Sequence, residues 1–197
     1  MNKLELLDSM LMKNNGFLKT ADVTAAEISK TYLAEYVRKH NLERIAHGLY
    51  MSQDAWMDEM FVIQVRYPDI VFSHETSLYL HNHAEREPTR YSITMKAGTN
   101  ATRLTKQGVK VYKVKESLFN DGVTETQSPT GHNLRVYNLE RTICDLIRSR
   151  RNVEIQDLQA AIKEYVRLKE KNIPLLMRYA KAFSVEKIVR QYLEVLL

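Results

Sequence analysis

Residues 29–51 read SKTYLAEYVRKHNLERIAHGLYM, and the rest of the chain is organised around them. Ser29 suits a helix N-cap, because its hydroxyl can accept from the free amides of a first turn. Leu33, Tyr36, Val37 and His40 recur at three- and four-residue spacing and mark one buried face. The opposite side carries Lys30, Thr31, Ala34, Arg38 and Lys39. After Asn41, Leu42 and Arg44-Ile45 form one strand-like run and Leu49-Tyr50-Met51 another, with His47-Gly48 as the turn. A helix followed at once by a small basic ribbon is the pattern of a winged helix-turn-helix.

The residues upstream fit that module. Leu4, Leu7, Met10 and Leu11 stripe a first helix, which Asn14-Asn15-Gly16 ends. Phe17-Leu18 reads as a strand able to pair with the ribbon, and Thr20 as the cap of a short helix over 21–25. In such modules the second long helix enters the major groove, while flanking hydroxyls and cations hold phosphates. The DNA-binding candidates are therefore Lys19, Thr20, Ser29, Lys30, Thr31, Arg38, Lys39, Arg44 and His47. The same pattern also serves small bundles that pack onto proteins, and that alternative stays open.

A chain of 197 residues has room for one or two small domains, and 44% hydrophobic with 27% charged residues is ordinary globular composition. The opening MNKLELLDSMLMKNN carries acids within its apolar stripe and lacks a small-residue cleavage site, unlike a signal peptide. No apolar run approaches membrane-spanning length. A single cysteine, Cys144, excludes an internal disulfide and a cysteine-based zinc cluster. The expectation is a cytoplasmic protein that does not engage the membrane.

The net charge of +5 is unevenly placed: +1 over residues 1–51, +4 over 101–120 and +5 over 146–197, with the intervening segments acidic. The reading head must then depend on where its cations stand. Lys110, Lys113, Arg148, Arg150 and Arg151 form a second candidate surface, for a polyanion. The alternative is a solvated charged face.

Beyond residue 52 the pattern changes. Asp54 is expected to start a helix running to Arg66, with Trp56, Met60, Phe61, Ile63 and Val65 available to the core; Tyr67-Pro68 ends it. Strands are expected over 70–72, 91–95, 109–114 and 134–137, and helices over 73–81 and 139–148, capped by Ser73 and Asn138. Residues 97–108 and the stretch from 115 to 133 read as loops, and three helices close the chain near 155–170, 174–182 and 184–196. The fold class is α+β: a winged helix-turn-helix over 1–52, then an α+β domain over 53–197 with a small mixed sheet and a helical C-terminus.

With that order in view, the chain resembles the AbiEi family of abortive-infection antitoxins, of type IV toxin–antitoxin systems, over essentially its whole length. Gly16-Phe17-Leu18 through Arg44-Ile45-Ala46-His47-Gly48-Leu49-Tyr50 resembles the family's winged helix. Phe72-Ser73-His74-Glu75-Thr76-Ser77-Leu78-Tyr79-Leu80-His81 resembles its SH-x-SAL-x-LH helix, with Thr76-Ser77-Leu78 standing for Ser-Ala-Leu. Leu139-Glu140-Arg141-Thr142-Ile143-Cys144-Asp145-Leu146 resembles its ERTI-x-DL helix. The resemblance implies an autorepressor of its own operon and a role in phage resistance. It also implies that the chain counters a co-encoded nucleotidyltransferase-like toxin without a stable complex. The N-terminal module is implied in repression and the C-terminal domain in antitoxicity.

Catalytic constellations are sparse. His74 and His81 lie roughly 10 Å apart along a helix at ~1.5 Å per residue, too far to ligate one metal together, and no HExxH is completed. Packing or capping suits them better. Arg141 and Asp145 are spaced for a helical ion pair, Ser77 has no adjacent base, and Cys144 sits among Ile143, Leu146 and Ile147 as a buried thiol. No cofactor motif is present. Two classes of function remain: a DNA-binding autorepressor and antitoxin acting on an inverted-repeat operator, or an enzyme on nucleic acid or nucleotides steered by a winged helix.

Overall fold

The computed structural model describes residues 2–84 and 86–196. Two compact units account for them: Met1–Pro68 with Gln127–Asn133, and Asp69–Thr126 with Leu134–Leu197. The first unit thus runs past the expected 52/53 boundary.

In the first unit, the stripe of Leu4, Leu7, Met10 and Leu11 becomes α1 (Lys3–Lys13). Its N-terminus is closed by a reciprocal pair: Asn2 accepts from the Glu5 amide, and the Glu5 carboxylate accepts from the Asn2 amide. Asn15 and Gly16 turn the chain with φ of +47° and +85°. At Gly16 a Cβ would lie 2.5 Å from that of Ala55, so glycine is required for space as well as conformation. There follow β1 (Phe17–Lys19), α2 (Thr20–Ala25), α3 (Lys30–Lys39), β2 (Glu43–Ala46), β3 (Leu49–Met51) and α4 (Glu59–Arg66).

The three strands form an antiparallel sheet in the order β1-β3-β2, with Leu18 opposite Tyr50 and Arg44 opposite Tyr50 on its other side. Phe17-Leu18 does pair with the ribbon. Leu7, Leu18, Val23, Ile28, Leu33, Tyr36 and Leu42 share one core. Burying each large aliphatic there contributes roughly 1.5–3 kcal/mol before chain entropy is charged against it. Tyr36 also donates to Asp8 at 2.7 Å, tying α3 to α1.

Three local expectations are corrected. Thr20 is the first residue of α2, not its cap; its amide donates to the Gly48 carbonyl at 2.8 Å. His40 is exposed and covers the Tyr36 ring at 4.2 Å instead of entering the core. The helix expected from Asp54 begins at Glu59, because Asp58 supplies the cap, accepting from the Phe61 amide at 2.9 Å. The skipped residues include Trp56, which stays 83% exposed.

The second unit holds β4 (Val71–Phe72), α5 (His74–Leu80), β5 (Ser92–Lys96), α6 (Thr102–Lys106), β6 (Lys110–Val114) and α7 (Glu116–Phe119). Then come β7 (Val123–Gln127), β8 (Asn133–Tyr137), α8 (Leu139–Arg148), α9 (Ile155–Arg167), α10 (Ile173–Ala182) and α11 (Glu186–Leu196). The sheet order is β6-β5-β4-β8-β7. It is mixed: β4 runs antiparallel to β5 and parallel to β8, and β5 runs parallel to β6. The helices α8–α11 close the main core around Ile143, Leu146, Leu158, Ile162, Leu176 and Val189.

Residues 97–108 are not all loop, since α6 lies within them, and the stretch after 115 contains α7 and β7. α6 is one short turn that buries only Leu104, and β7 is an edge strand without a buried residue, so neither carries a periodic apolar signal.

Candidate nucleic-acid interface

Within the first unit, Ser29 caps α3, its hydroxyl accepting from the Tyr32 amide at 3.2 Å. Leu33 and Tyr36 go inward, which turns Lys30, Thr31, Ala34, Arg38 and Lys39 to solvent. Glu35 is exposed on the same helix, a carboxylate among the cations that the sequence reading passed over. Such a group can accept from a cytosine amine as well as repel phosphate. Asn41, at φ +51°, ends the helix before β2.

On the β2–β3 hairpin, Arg44 Nη2 lies 3.2 Å from His47 Nδ1, and both side chains are exposed. Thr20 is half-buried below the Gly48 turn. The Lys19 ammonium stands 5.0 Å over the Phe61 ring of the same unit. Ser29, Lys30, Thr31, Arg38 and Lys39 are thus carried by α3, Arg44 and His47 by the hairpin, and Lys19 by β1.

A buried polar cluster in the same unit escaped sequence reading altogether. Asp58 Oδ2 accepts from Ser128 Oγ at 2.5 Å, from Thr130 Oγ1, and from His132 Nδ1 at 2.7 Å. His132 Nε2 faces the Asn14 carbonyl at 3.1 Å, and its ring stacks on Phe61 at 4.1 Å. Burial alone would raise the Asp58 carboxyl; donors from His132, Ser128, Thr130 and the Phe61 amide outweigh it and hold the group at about 2. The partners lie some 70 residues away in the chain, and no local pattern links them.

In the second unit, α5 and α8 meet through Ser77 and Thr142, next to the Tyr137 carbonyl at the end of β8. Ser77 Oγ donates to the Tyr137 carbonyl at 2.9 Å and meets Thr142 Oγ1 at 2.7 Å, while His81 Nε2 reaches the same carbonyl at 2.8 Å. Arg141 is fully buried, with Nε on Asp145 at 2.9 Å and Nη1 on the carbonyls of Leu118 and Asp121. Its Nη2 has no hydrogen-bond partner; the guanidinium lies between the rings of Tyr137 and Phe183, at 4.0 and 3.9 Å. The expected Arg141–Asp145 clasp is present. Cys144 is buried, and burial pushes its thiol up to about 12, which leaves no thiolate for nucleophilic work near neutrality.

His74 opens α5 at φ +51°, between Ser73 Oγ and Ser149 Oγ at 3.0 Å each, and stacks on Tyr112 at 3.5 Å. Burial, then the positive charges of Arg148, Arg141 and Lys110, hold its imidazole well below the usual range and keep it neutral. It packs, as expected of it. Among the described residues no three His, Cys, Asp or Glu side chains converge as metal ligands, and no helix is long and apolar enough to cross a membrane.

Of the second basic set, Lys110 is tied to Glu75 at 3.2 Å. Arg148 Nη2 donates to the Lys113 carbonyl at 2.9 Å, which brings these two together, and Arg150 donates to the Ile147 carbonyl at the end of α8. Arg151 is exposed beside it.

No family model matches the chain, and no curated protein matches it. Among solved structures, the RV2827C protein from Mycobacterium tuberculosis is similar, with a TM-score of 0.58 at 10% identity. The similarity covers 95% of this chain and 75% of that one. At that identity the likeness is one of fold, a mixed α+β architecture.

Proposed function

We propose that the chain is a DNA-binding autorepressor whose first unit works as a winged helix, and that the protein is the antitoxin of a type IV abortive-infection system. The observation that carries the reading is the outer face of α3. Lys30, Thr31, Arg38 and Lys39 all stand exposed on the side of α3 away from Leu33 and Tyr36, and the hairpin that follows offers Arg44 and His47. The order helix, strand, helix, helix, hairpin supports it, as does the sequence likeness to AbiEi antitoxins in α5 and α8.

In this reading α3 enters the major groove of an operator, two copies bind an inverted repeat, and Arg44 and His47 reach phosphates or the minor groove. Arg148, Arg150 and Arg151 give the second unit a phosphate-binding face through which a co-encoded nucleotidyltransferase-like toxin is countered without a stable complex. The test is a band-shift titration on the chain's own promoter and on a scrambled duplex. Lys30→Ala and Thr31→Ala should each weaken promoter binding by about 1–3 kcal/mol. Equal wild-type affinity for promoter and scrambled DNA would overturn the proposal.

A further inference from the structure

We propose that Glu35 is a base-reading residue of α3, its carboxylate accepting from the amino group of a cytosine in the major groove. The inference rests on the operator reading and deepens it, since it names a base that each half-site must hold.

Successive residues of an α-helix are turned by about 100°. Leu33 and Tyr36, the two buried residues of α3, fix its inward direction. Measured from the direction opposite to them, Thr31 and Arg38 stand within about 10°, and Ala34 and Glu35 about 50° to either side. Lys30 and Lys39 stand about 90° off, one on each flank, where a long side chain can reach a groove wall or bend to a base edge. All six are exposed. The centre of the outward face is therefore Thr31, Ala34, Glu35 and Arg38, and its one carboxylate is Glu35.

Two cations stand at spacings that favour a helical ion pair with Glu35: Arg38 three residues on and Lys39 four residues on. Glu35 pairs with neither, and its side chain has no hydrogen bond or ion pair with any described residue. A free carboxylate on a face that meets DNA is repelled by the phosphates of both groove walls. That cost is offset only where the acid meets donors, and the floor of the groove supplies them. Thr31 and Ala34 are small, so the helix can approach the floor closely enough for a glutamate to reach it.

The donors on the floor are the amines of cytosine and adenine. Adenine sets its N7 acceptor beside the amine, and a carboxylate, which only accepts, is repelled there. Cytosine presents its amine with no acceptor of its own on that edge. Cytosine is thus the base that Glu35 selects. From Thr31 to Arg38 the helix rises roughly 10 Å, about three base-pair steps, so the cytosine lies within a short run of the half-site.

The test is a band-shift titration of the full chain on its own promoter, with each C·G pair of a half-site changed in turn to the other three pairs. Wild type should lose about tenfold in affinity at one such pair, whichever replacement is made. Glu35→Gln should bind best with adenine in that cytosine's place, because a side-chain amide accepts from adenine N6 and donates to N7. Glu35→Ala should accept every base there alike and, with a negative charge gone, bind scrambled duplex more tightly than wild type. Both variants change an exposed side chain, and circular dichroism checks the fold. Glu170→Gln, at an exposed acid of the second unit, should keep the wild-type profile.

A Glu35→Ala protein that binds every duplex more tightly by one factor, its base profile unchanged, overturns the inference, since the carboxylate then only repels phosphate. So does a Glu35→Gln protein that keeps the cytosine preference, or a matching change in Glu170→Gln. In these cases wild type still separates promoter from scrambled DNA, and the operator reading stands. Equal wild-type affinity for promoter and scrambled DNA overturns the operator reading and this inference with it.

Discussion

Replacing Asp58 by asparagine keeps the shape of the side chain and removes the charge that organises the first unit's polar cluster. The wild-type carboxylate accepts four donors: the Phe61 amide, Ser128, Thr130 and His132. The asparagine oxygen can still cap α4, but an amide nitrogen would face the other three donors. The linked quantity is the carboxyl's depressed proton affinity, about 2 against an ordinary 3.8. At ~1.4 kcal/mol per tenfold, that difference contributes about 2 kcal/mol to the folded state. Because the folded value is the lower one, this stability is fully present above the ordinary 3.8 and is lost as pH falls through about 2. Asp58→Asn should therefore unfold in urea about 2 kcal/mol more easily at pH ~6, and the gap from wild type should close as both approach pH ~2. Hydrogen exchange supplies a local readout, since the Phe61 amide is bound directly to the carboxylate and 127–133 supplies its other donors. Equal stability of the two proteins at pH ~6, or a gap that persists unchanged at pH ~2, would refute the reasoning.

Other perturbations reach the remaining elements. Arg44→Ala should weaken binding to all duplexes alike and lower the salt slope by about 0.9, read from band shifts at several salt concentrations; an unchanged slope would place the hairpin off the DNA. Arg141→Met leaves Asp145 buried without its counter-charge and should cost about 3–5 kcal/mol in urea unfolding, with a variant as stable as wild type arguing against the clasp. Neutralising Arg148, Arg150 and Arg151 together should impair protection from the toxin, with circular dichroism unchanged; full protection would leave them a solvated face.

Much of the fold was legible because its elements carry strong local signals. The cap at Ser29, the Leu33/Tyr36 spacing and the His47-Gly48 turn located α3 and its hairpin, and Asn138 capped α8 as read. Both calculable ion-pair and burial expectations on α8, Arg141–Asp145 and Cys144, also appear in the structure. What failed to show lacked periodicity or proximity in the chain. α6 and β7 bury almost nothing, so no apolar rhythm announces them. Asp58 was overshadowed by Asp54 because only the distant Ser128, Thr130 and His132 reveal which carboxylate is held. The placing of Lys19 over Phe61, far along the chain, has no local signal either. The candidate interface was legible as a set of exposed positions, and its internal ties, such as Arg44 to His47, were not.

The most direct measurement is the affinity of the wild-type protein and Lys30→Ala for a series of promoter duplexes, each changed at one base pair of a half-site. If α3 reads the major groove, wild type should lose about 1–3 kcal/mol at several positions, and Lys30→Ala should lose that discrimination at one of them while keeping it at the others. A wild-type protein indifferent to every substitution, or a variant that keeps the full wild-type profile, would contradict base reading through Lys30 on α3.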